Sequence, residues 1–230
     1  RRALWAYAFL AGPLAFFLAI RILPAASALF ISLHRWNIVS PQQPFVGLAN
    51  FRALWSDRYF WIALRNSATY LAVVPVLQAG AILLAIWVHR PLRGLAWLRA
   101  AYYLPVVTSI VVVGILWRWL YDDAGLVNFL LLQLRVLHGP VHWLADPGIA
   151  LYAVMFVTLW KGLGYYMVIY LAGLQVIPEH LYEAAVIEGA SPWHRFWRVT
   201  FPLLSPTTFF VAIMAVIDSF QVIDQVYLMT

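Results

Sequence analysis

Residues 181–202 read Leu-Tyr-Glu-Ala-Ala-Val-Ile-Glu-Gly-Ala-Ser-Pro-Trp-His-Arg-Phe-Trp-Arg-Val-Thr-Phe-Pro, and they separate two long apolar runs. Glu183 and the two alanines that follow it favour a helix. Gly189 can adopt a left-handed turn without steric cost, and Ser191-Pro192 suits the N-cap and first residue of another helix. The stretch therefore predicts a short helix, a turn and a second short helix.

The second of these helices is predicted to be amphipathic. Trp193, Phe196 and Trp197 are spaced i, i+3 and i+4, so they share one face, while Arg195 and Arg198 point elsewhere. An element of this kind lies on a membrane surface or against a partner protein.

The composition of the 230 residues is that of an integral membrane protein. Hydrophobic residues make up 64% of the chain, charged residues only 10%, and the mean hydropathy is +0.83, which excludes an ordinary soluble surface. Cysteine is absent, so a disulfide framework, a thiolate metal site and a cysteine nucleophile are excluded. The net charge of +6 comes from arginines scattered among apolar segments, which favours anionic lipid over nucleic acid as the partner.

Five segments are apolar over the roughly 20 residues that a helix needs to cross a bilayer. The alternation of barrel strands is missing, so we expect an all-α helix bundle that forms one transmembrane domain over 1–230. Outer segments are expected at about 34–66, with a surface helix around 50–55, and at about 121–147. The predicted spans are about 5–31, 67–89, 100–120, 148–174 and 203–227.

The distribution of arginine predicts the orientation. The loop 90–99 is short and holds three arginines and no acidic residue, as expected of a cytoplasmic loop. This places the N-terminus and residues 178–201 inside. The inner segments then hold Arg1, Arg2, Arg90, Arg93, Arg99, Arg195 and Arg198, and the outer ones Arg35, Arg52, Arg58, Arg65 and Arg135.

Polar residues interrupt the fourth and fifth predicted spans. The fourth contains Trp-Lys-Gly-Leu-Gly-Tyr-Tyr at 160–166, preceded by Thr158, and such residues are costly in lipid unless they face a cavity or another helix. In the fifth, Asp218, Gln221 and Gln225 are spaced to share a helix face, with Asp224 at its border.

The segment around 181–202 resembles the EAA loop in the permease subunits of bacterial ATP-binding-cassette importers. The resemblance rests on Glu-Ala-Ala at 183–185, Gly189, and the flanking Ile-Pro at 177–178 and Phe-Pro at 201–202. Within that superfamily the sequence is most similar to carbohydrate permeases, such as the first permease subunit of maltose, glycerol-phosphate and trehalose importers. Stretches at 47–52, 57–61 and 220–230 extend the resemblance over most of the chain. Glu188 departs from the pattern, because the family usually has aspartate there.

The resemblance implies that the 178–201 loop is the coupling element that docks on the ATPase. Glu183 would offer its carboxylate to a basic group there, Gly189 would permit close backbone approach, and Trp193 and Phe196 would pack the loop. The implied coupling residues are Glu183, Ala184, Ala185, Glu188, Gly189, Ala190, Trp193 and Phe196.

The resemblance also implies a substrate path. Sugar recognition needs aromatic faces and side chains that hydrogen-bond hydroxyls. The alternative is that these residues are polar contacts to a partner subunit. The positions that match the sugar site of the maltose permease, or polar positions on its fifth helix, are Thr158, Lys161, Gly162, Tyr165, Asp218 and Gln221.

The implied assembly carries out alternating access in a bacterial inner membrane. Its other members would be a second homologous permease subunit, which makes a heterodimer, two copies of an ATPase, and an extracytoplasmic solute-binding protein. The chain has no Gly-rich phosphate loop, so we expect no cofactor in it and ATP and Mg on the ATPase. The family core has six helices, and five are found before Thr230, so a sixth is expected beyond this sequence.

Two other functions stay open from the residues alone. An intramembrane transferase could use Asp122-Asp123, or Asp218 and Asp224, as acids, although a turn suits Asp122-Asp123 better. A passive channel would need a polar stripe on several helices. His138 and His142 lack the partners of a metal site. For an importer, Lys161 would suit glycerol phosphate, whereas Tyr165 and a carboxylate would suit a neutral disaccharide.

Overall fold

A computed structural model describes residues 2–39, 42–89 and 95–230, and divides the chain into two units, 1–65 and 66–230. Every regular element in the described residues is a helix, and an isolated backbone bridge joins His34 to Phe45. The expected all-α class is confirmed.

The first unit begins with one long apolar helical rod. Helix α1 (Arg2–Phe17) continues through a π-helical turn (Leu18–Ile22) into α2 (Leu23–Ser32). The amide of Asn50 donates to the carbonyls of Ser32, at 2.8 Å, and His34, at 3.0 Å, and so caps the end of this rod. Asn50 lies on α3 (Ala49–Ser56), at the position of the expected surface helix.

The remaining helices begin at Arg58: α4 runs across the boundary between residues 65 and 66, and the helices after it lie in the second unit. In chain order they are α4 (Arg58–Tyr70), α5 (Val73–Val88), α6 (Leu95–Val107), α7 (Ile110–Leu120), α8 (Leu126–Gln133), α9 (Ala150–Gln175), α10 (Glu179–Ile187), α11 (Pro192–Arg195), a π-helical turn (Phe196–Thr200), α12 (Phe201–Leu203), α13 (Ser205–Phe220) and α14 (Ile223–Met229).

Three helical stretches in the described residues are long and apolar enough to cross a membrane: Trp5–Ser32, Arg58–Val88 and Ala150–Gln175. Two further predicted spans are bent, which raises the possible number of crossings to five. The helix predicted at 100–120 turns by 106° between Val107 and Ile110, and the chain turns by 66° between Leu203 and Ser205.

The spans expected at about 100–120 and 203–227 are thus bent within their length, which the sequence did not predict. Proline supplies no backbone N–H, and Pro105 lies within the last turn before the first bend, while Pro202 and Pro206 flank the second. The helix also breaks again after Phe220, before α14. Within the outer segment expected at about 34–66, the chain is already helical from Arg58, where α4 begins.

Helix α9 is the centre of the second unit. Val157, Met167 and Tyr170 on α9 are fully buried, as are Ala81 and Ala85 on the neighbouring α5. These residues belong to one continuous apolar core.

Small residues let the helices approach α9 closely. A Cβ atom added to Gly164 would lie 1.8 Å from the carbonyl oxygen of Tyr102 on α6, and one added to Gly162 would lie 2.7 Å from Cδ1 of Leu77 on α5. Any larger residue at Gly164 would force the α9 and α6 backbones apart.

The segments that precede and follow α9, residues 121–147 and 178–201, lie at its opposite ends. At its start, the hydroxyl of Tyr121 donates to the carbonyl of Ala153 at 3.3 Å, and burial raises the pKa of Tyr121 to about 12. At its end, Gln175 lines a cavity with His89, Glu179 and Arg195. Residues 121–147 and 178–201 are thus separated by the length of the helix. Arg1, Arg90 and Arg93, three of the arginines expected on the inner side, lie outside the described residues.

Asn128 organises the segment between α7 and α9. It is 1% exposed, and its amide nitrogen donates to the carbonyls of Asp122, Asp123 and Val141 at 3.0–3.3 Å. Its oxygen accepts from the Val141 N–H at 3.1 Å and the Trp143 indole at 3.0 Å. One side chain therefore holds the beginning of this segment against its end.

Replacing Asn128 by leucine should loosen this segment. The substitution leaves five polar groups without the partner they have now, at a cost of roughly 1–3 kcal/mol for each that stays buried. We expect trypsin to cut at Arg135 at least about tenfold faster in Asn128→Leu. Gln133→Leu, an exposed position on α8, is the control, and equal cleavage of both variants would contradict this role.

Candidate functional site

Residues 179–200 form the helix, turn and helix that the sequence predicts. The turn is closed by hydrogen bonds from the Gly189 N–H to Val186 O at 3.0 Å and from the Ala190 N–H to Ala185 O at 2.9 Å, with Gly189 at a φ of +77°. A glycine adopts this left-handed conformation without strain. Ser191 then caps α11, and its hydroxyl accepts from the His194 N–H at 3.3 Å.

The aromatic face of the second helix is present. The ring centroids of Trp193 and Trp197 are 5.6 Å apart, and those of Phe196 and Trp197 are 5.0 Å apart. Phe196 packs on the core, whereas Trp193 is 67% exposed. The helix continues as a π-helical turn (Phe196–Thr200), which the sequence did not predict.

The expected coupling residues present a free surface on this loop. Glu183, Ala184, Glu188 and Gly189 are exposed, and a Cβ on Gly189 would meet no described atom within 4 Å. Ala185 and Ala190 are half-buried. The hydroxyls of Tyr182 and Thr200 lie 3.0 Å apart and tie α10 to the second helix. The loop is a helical hairpin whose two helices are linked by this hydrogen bond, and its carboxylates lie on the exposed side.

All six of the predicted substrate-path residues line one cavity of about 380 Å³. Four of them lie on α9, and Asp218 and Gln221 lie where α13 ends. Apolar side chains of α5, including Val74 and Leu77, form another wall. The volume is in the range of small-molecule sites. The lining residues predicted from the sequence are Thr158, Lys161, Gly162, Tyr165, Asp218 and Gln221.

Lys161 spans the bend between α6 and α7. Its ammonium donates to the carbonyl oxygens of Pro105 at 2.8 Å and Thr108 at 2.7 Å, and it is 3.4 Å from that of Val106. These carbonyls lie at the end of α6, where a helix leaves its last acceptors without intrahelical partners. Lys161 therefore stabilises the broken helix.

Thr158 is engaged in packing between helices. Its hydroxyl is hydrogen-bonded to that of Tyr70 and lies 3.3 Å from the Val154 carbonyl and 3.1 Å from Oε1 of Gln225. Gln225 is 5% exposed and donates to the Val154 carbonyl at 3.1 Å. Because the helix breaks at Gln221, Gln225 belongs to this buried group on α14 and not to one continuous face with Asp218.

Asp218 is positioned by a residue that the sequence reasoning did not select. The hydroxyl of Tyr166, which is 4% exposed, donates to Oδ2 of Asp218 at 2.7 Å. The ring of Tyr165 packs edge-on against that of Tyr166, with centroids 5.0 Å apart, and is itself exposed. Tyr165, Asp218 and Gln221 thus offer an aromatic face, a carboxylate and an amide to the cavity.

Asp122 and Asp123, the acidic pair considered for a transferase, make hydrogen bonds in and near the turn before α8. Oδ1 of Asp122 accepts from the Ala124 N–H at 3.1 Å, and Oδ1 of Asp123 lies 2.7 Å from Nδ1 of His142. In the described part of the chain, no group of three or more metal-ligating residues comes together.

A family of proteins described as the inner membrane component of binding-protein-dependent transport systems matches residues 79–230. The chain belongs to this family. It is therefore a membrane permease subunit of a binding-protein-dependent importer and a transport protein, not an enzyme. Family membership decides against the transferase and passive-channel alternatives.

Relatives of this permease support the same conclusion. The probable ABC transporter permease YurN of Bacillus subtilis is 33% identical over 97% of this chain and 78% of its own length. The lactose transport system permease LacF of Rhizobium radiobacter is 34% identical, with coverages of 95% and 74%. The trehalose/maltose transport system permease MalF of Thermococcus litoralis is 36% identical, with coverages of 91% and 71%.

The fold of the permease matches a solved transporter. A chain of a bacterial ABC transporter that imports the acidic polysaccharide alginate superposes with a TM-score of 0.78 and 25% identity, over 93% of this chain and 72% of that one. The overall fold of this chain is therefore that of a known ABC importer permease.

Removing the charge of Lys161 should destabilise the permease. Lys161→Met keeps the length of the side chain but leaves the carbonyls of Pro105 and Thr108 without a donor. The cost of roughly 1–3 kcal/mol should lower the midpoint of thermal unfolding by roughly 2–10 °C. Arg118→Met, at an exposed position on α7, is the control. A midpoint unchanged from the native protein would show that the bend does not need Lys161.

Proposed function

We propose that this chain is one of two homologous permease subunits through which a carbohydrate crosses a bacterial inner membrane. The observation that carries this proposal is the cavity in which all six expected path residues meet. Several relatives are named for the transport of sugars, among them lactose, trehalose and maltose.

The cavity has the groups that sugar recognition requires. Tyr165 offers an exposed ring, and Asp218 and Gln221 are exposed hydrogen-bonding groups at the end of α13. A carboxylate accepts from sugar hydroxyls and an amide both donates and accepts. Thr158 and Lys161 contribute indirectly, because their polar atoms are engaged with other helices.

The loop at 178–201 is the coupling element for the ATPase. Its carboxylates and its Gly189 turn are exposed, whereas Phe196 and Thr200 anchor it to the core. Helix α9 ends immediately before the loop and carries Lys161 and Tyr165 in its middle. A movement of the loop can therefore reach the cavity through one helix.

The complete transporter would contain this chain, a second permease subunit, two ATPase subunits that bind ATP and Mg, and an extracytoplasmic binding protein. A binding protein of this kind belongs to the solved alginate system, in which it is periplasmic. The N-terminus and the 178–201 loop would face the cytoplasm, and residues 121–147 would face the binding protein. The distance along α9 between these two segments supports opposite sides.

The coupling role predicts a loss of solute-stimulated ATP hydrolysis in two loop variants. In the reconstituted complex, Glu183→Ala removes an exposed carboxylate and Gly189→Asp places a side chain where φ is +77°. We expect stimulation to fall at least about tenfold in both, with assembly retained, because the contact to the ATPase is lost.

Glu179→Ala is the matched control, because Glu179 is exposed on the same helix, one turn earlier. It should retain most of the stimulation. Normal stimulation and transport in both Glu183→Ala and Gly189→Asp would contradict the coupling role.

The orientation can be tested directly because the chain contains no cysteine. His138→Cys in the outer segment and His180→Cys in the loop each introduce one exposed thiol. A membrane-impermeant maleimide should label the first in intact spheroplasts and the second only after permeabilisation. The reverse pattern would invert the proposed topology.

A further inference from the structure

We infer that the cavity of this subunit favours uncharged sugars over sugars that carry a carboxylate or a phosphate. The inference rests on the proposed function and concerns the same cavity. It follows from the charges that line the cavity and from the hydrogen bonds that already engage its one described cation.

The charged side chains in the described cavity lining are Lys161, Asp218 and Asp224. Two carboxylates and one ammonium give a formal charge of −1. Asp218 and Asp224 are both exposed, so they are placed to meet a solute. An anionic solute near two carboxylates is repelled, and repulsion between charges a few ångströms apart is substantial in a partly dry site.

Lys161 cannot easily compensate for these carboxylates. An ammonium has three N–H donors, and this one faces three backbone carbonyls at 2.7, 2.8 and 3.4 Å. An anionic oxygen would have to displace one of the carbonyls that close the end of α6. The ammonium is therefore already hydrogen-bonded to backbone carbonyls. Binding an acidic group to it would weaken the contacts that stabilise the bend between α6 and α7.

The remaining groups suit hydroxyls. Tyr166 already fixes Oδ2 of Asp218, so the carboxylate is held in place by a buried phenol before a solute arrives. A positioned carboxylate accepts hydrogen bonds from the hydroxyls of a sugar, and Gln221 adds a donor and an acceptor beside it. Tyr165 supplies a face for the apolar side of a sugar ring.

The experiment measures binding to the complete membrane complex in nanodiscs, without the binding protein, so that the selectivity of that protein does not contribute. The probes are pairs that differ by one carboxylate: methyl glucoside with methyl glucuronide, and methyl galactoside with methyl galacturonide. Competition in saturation-transfer NMR gives the affinity ratio within each pair.

We expect the neutral member to bind about tenfold more tightly in at least one pair. In Asp218→Asn/Asp224→Asn this ratio should shrink at least about fivefold, because two negative charges are removed while the shape is kept. Asp224→Asn alone should shrink it in the same direction, and does not disturb the contact between Tyr166 and Asp218. Glu179→Gln, which lies outside the cavity, should leave the ratio unchanged.

Equal or tighter binding of the acidic members, or a ratio that does not respond to the asparagine variants, would overturn the inference and leave the carbohydrate function standing. If no member of any pair binds, the carbohydrate assignment fails together with the inference.

Discussion

The close contact between α9 and α6 is the constraint on which the second unit depends. At Gly164 the two backbones are so near that the hydrogen of glycine is the largest substituent that fits beside the Tyr102 carbonyl. In lipid, the apolar surfaces of helices gain little by leaving the solvent, so close packing of small residues supplies much of the association. This contact brings the end of α6 within reach of Lys161, three residues earlier on α9.

The polar groups in the apolar helices follow from the same constraint. A bent helix exposes carbonyls, and a bilayer offers no water to satisfy them. Lys161 donates hydrogen bonds to the carbonyls exposed at the bend after α6. Thr158 and Gln225 both bond to the carbonyl of Val154 and so join α9 to α14. Tyr165, Asp218 and Gln221 also face the cavity, but they make fewer hydrogen bonds to other helices than Lys161, Thr158 and Gln225 do. We propose that these three residues recognise the solute, whereas Lys161, Thr158 and Gln225 hold the helices together.

Local spacing predicted the helix, turn and helix of the loop, and the cost of polar residues in lipid predicted that 158–166 faces a cavity or another helix. The six cavity residues themselves came from the resemblance to the maltose permease. Gly189, Ser191 and Pro192 give a turn and a cap that need no tertiary information. The bends and the roles of single residues could not be predicted in this way. Whether a proline such as Pro105 breaks a helix depends on a donor, here Lys161, supplied from 56 residues away in the chain. Asn128, Asn50 and Tyr166 act through long-range partners, and no local pattern marks them.

We propose that α9 joins the loop at 178–201 to the cavity as one rigid body. The most direct test is a pair of cryo-electron microscopy structures of the complete complex, one without nucleotide and one trapped with a non-hydrolysable ATP analogue. We expect α9, α10 and α11 to move together between the two states, while Lys161 keeps its contacts to the end of α6. A loop that moves while α9 stays in place would contradict this proposal.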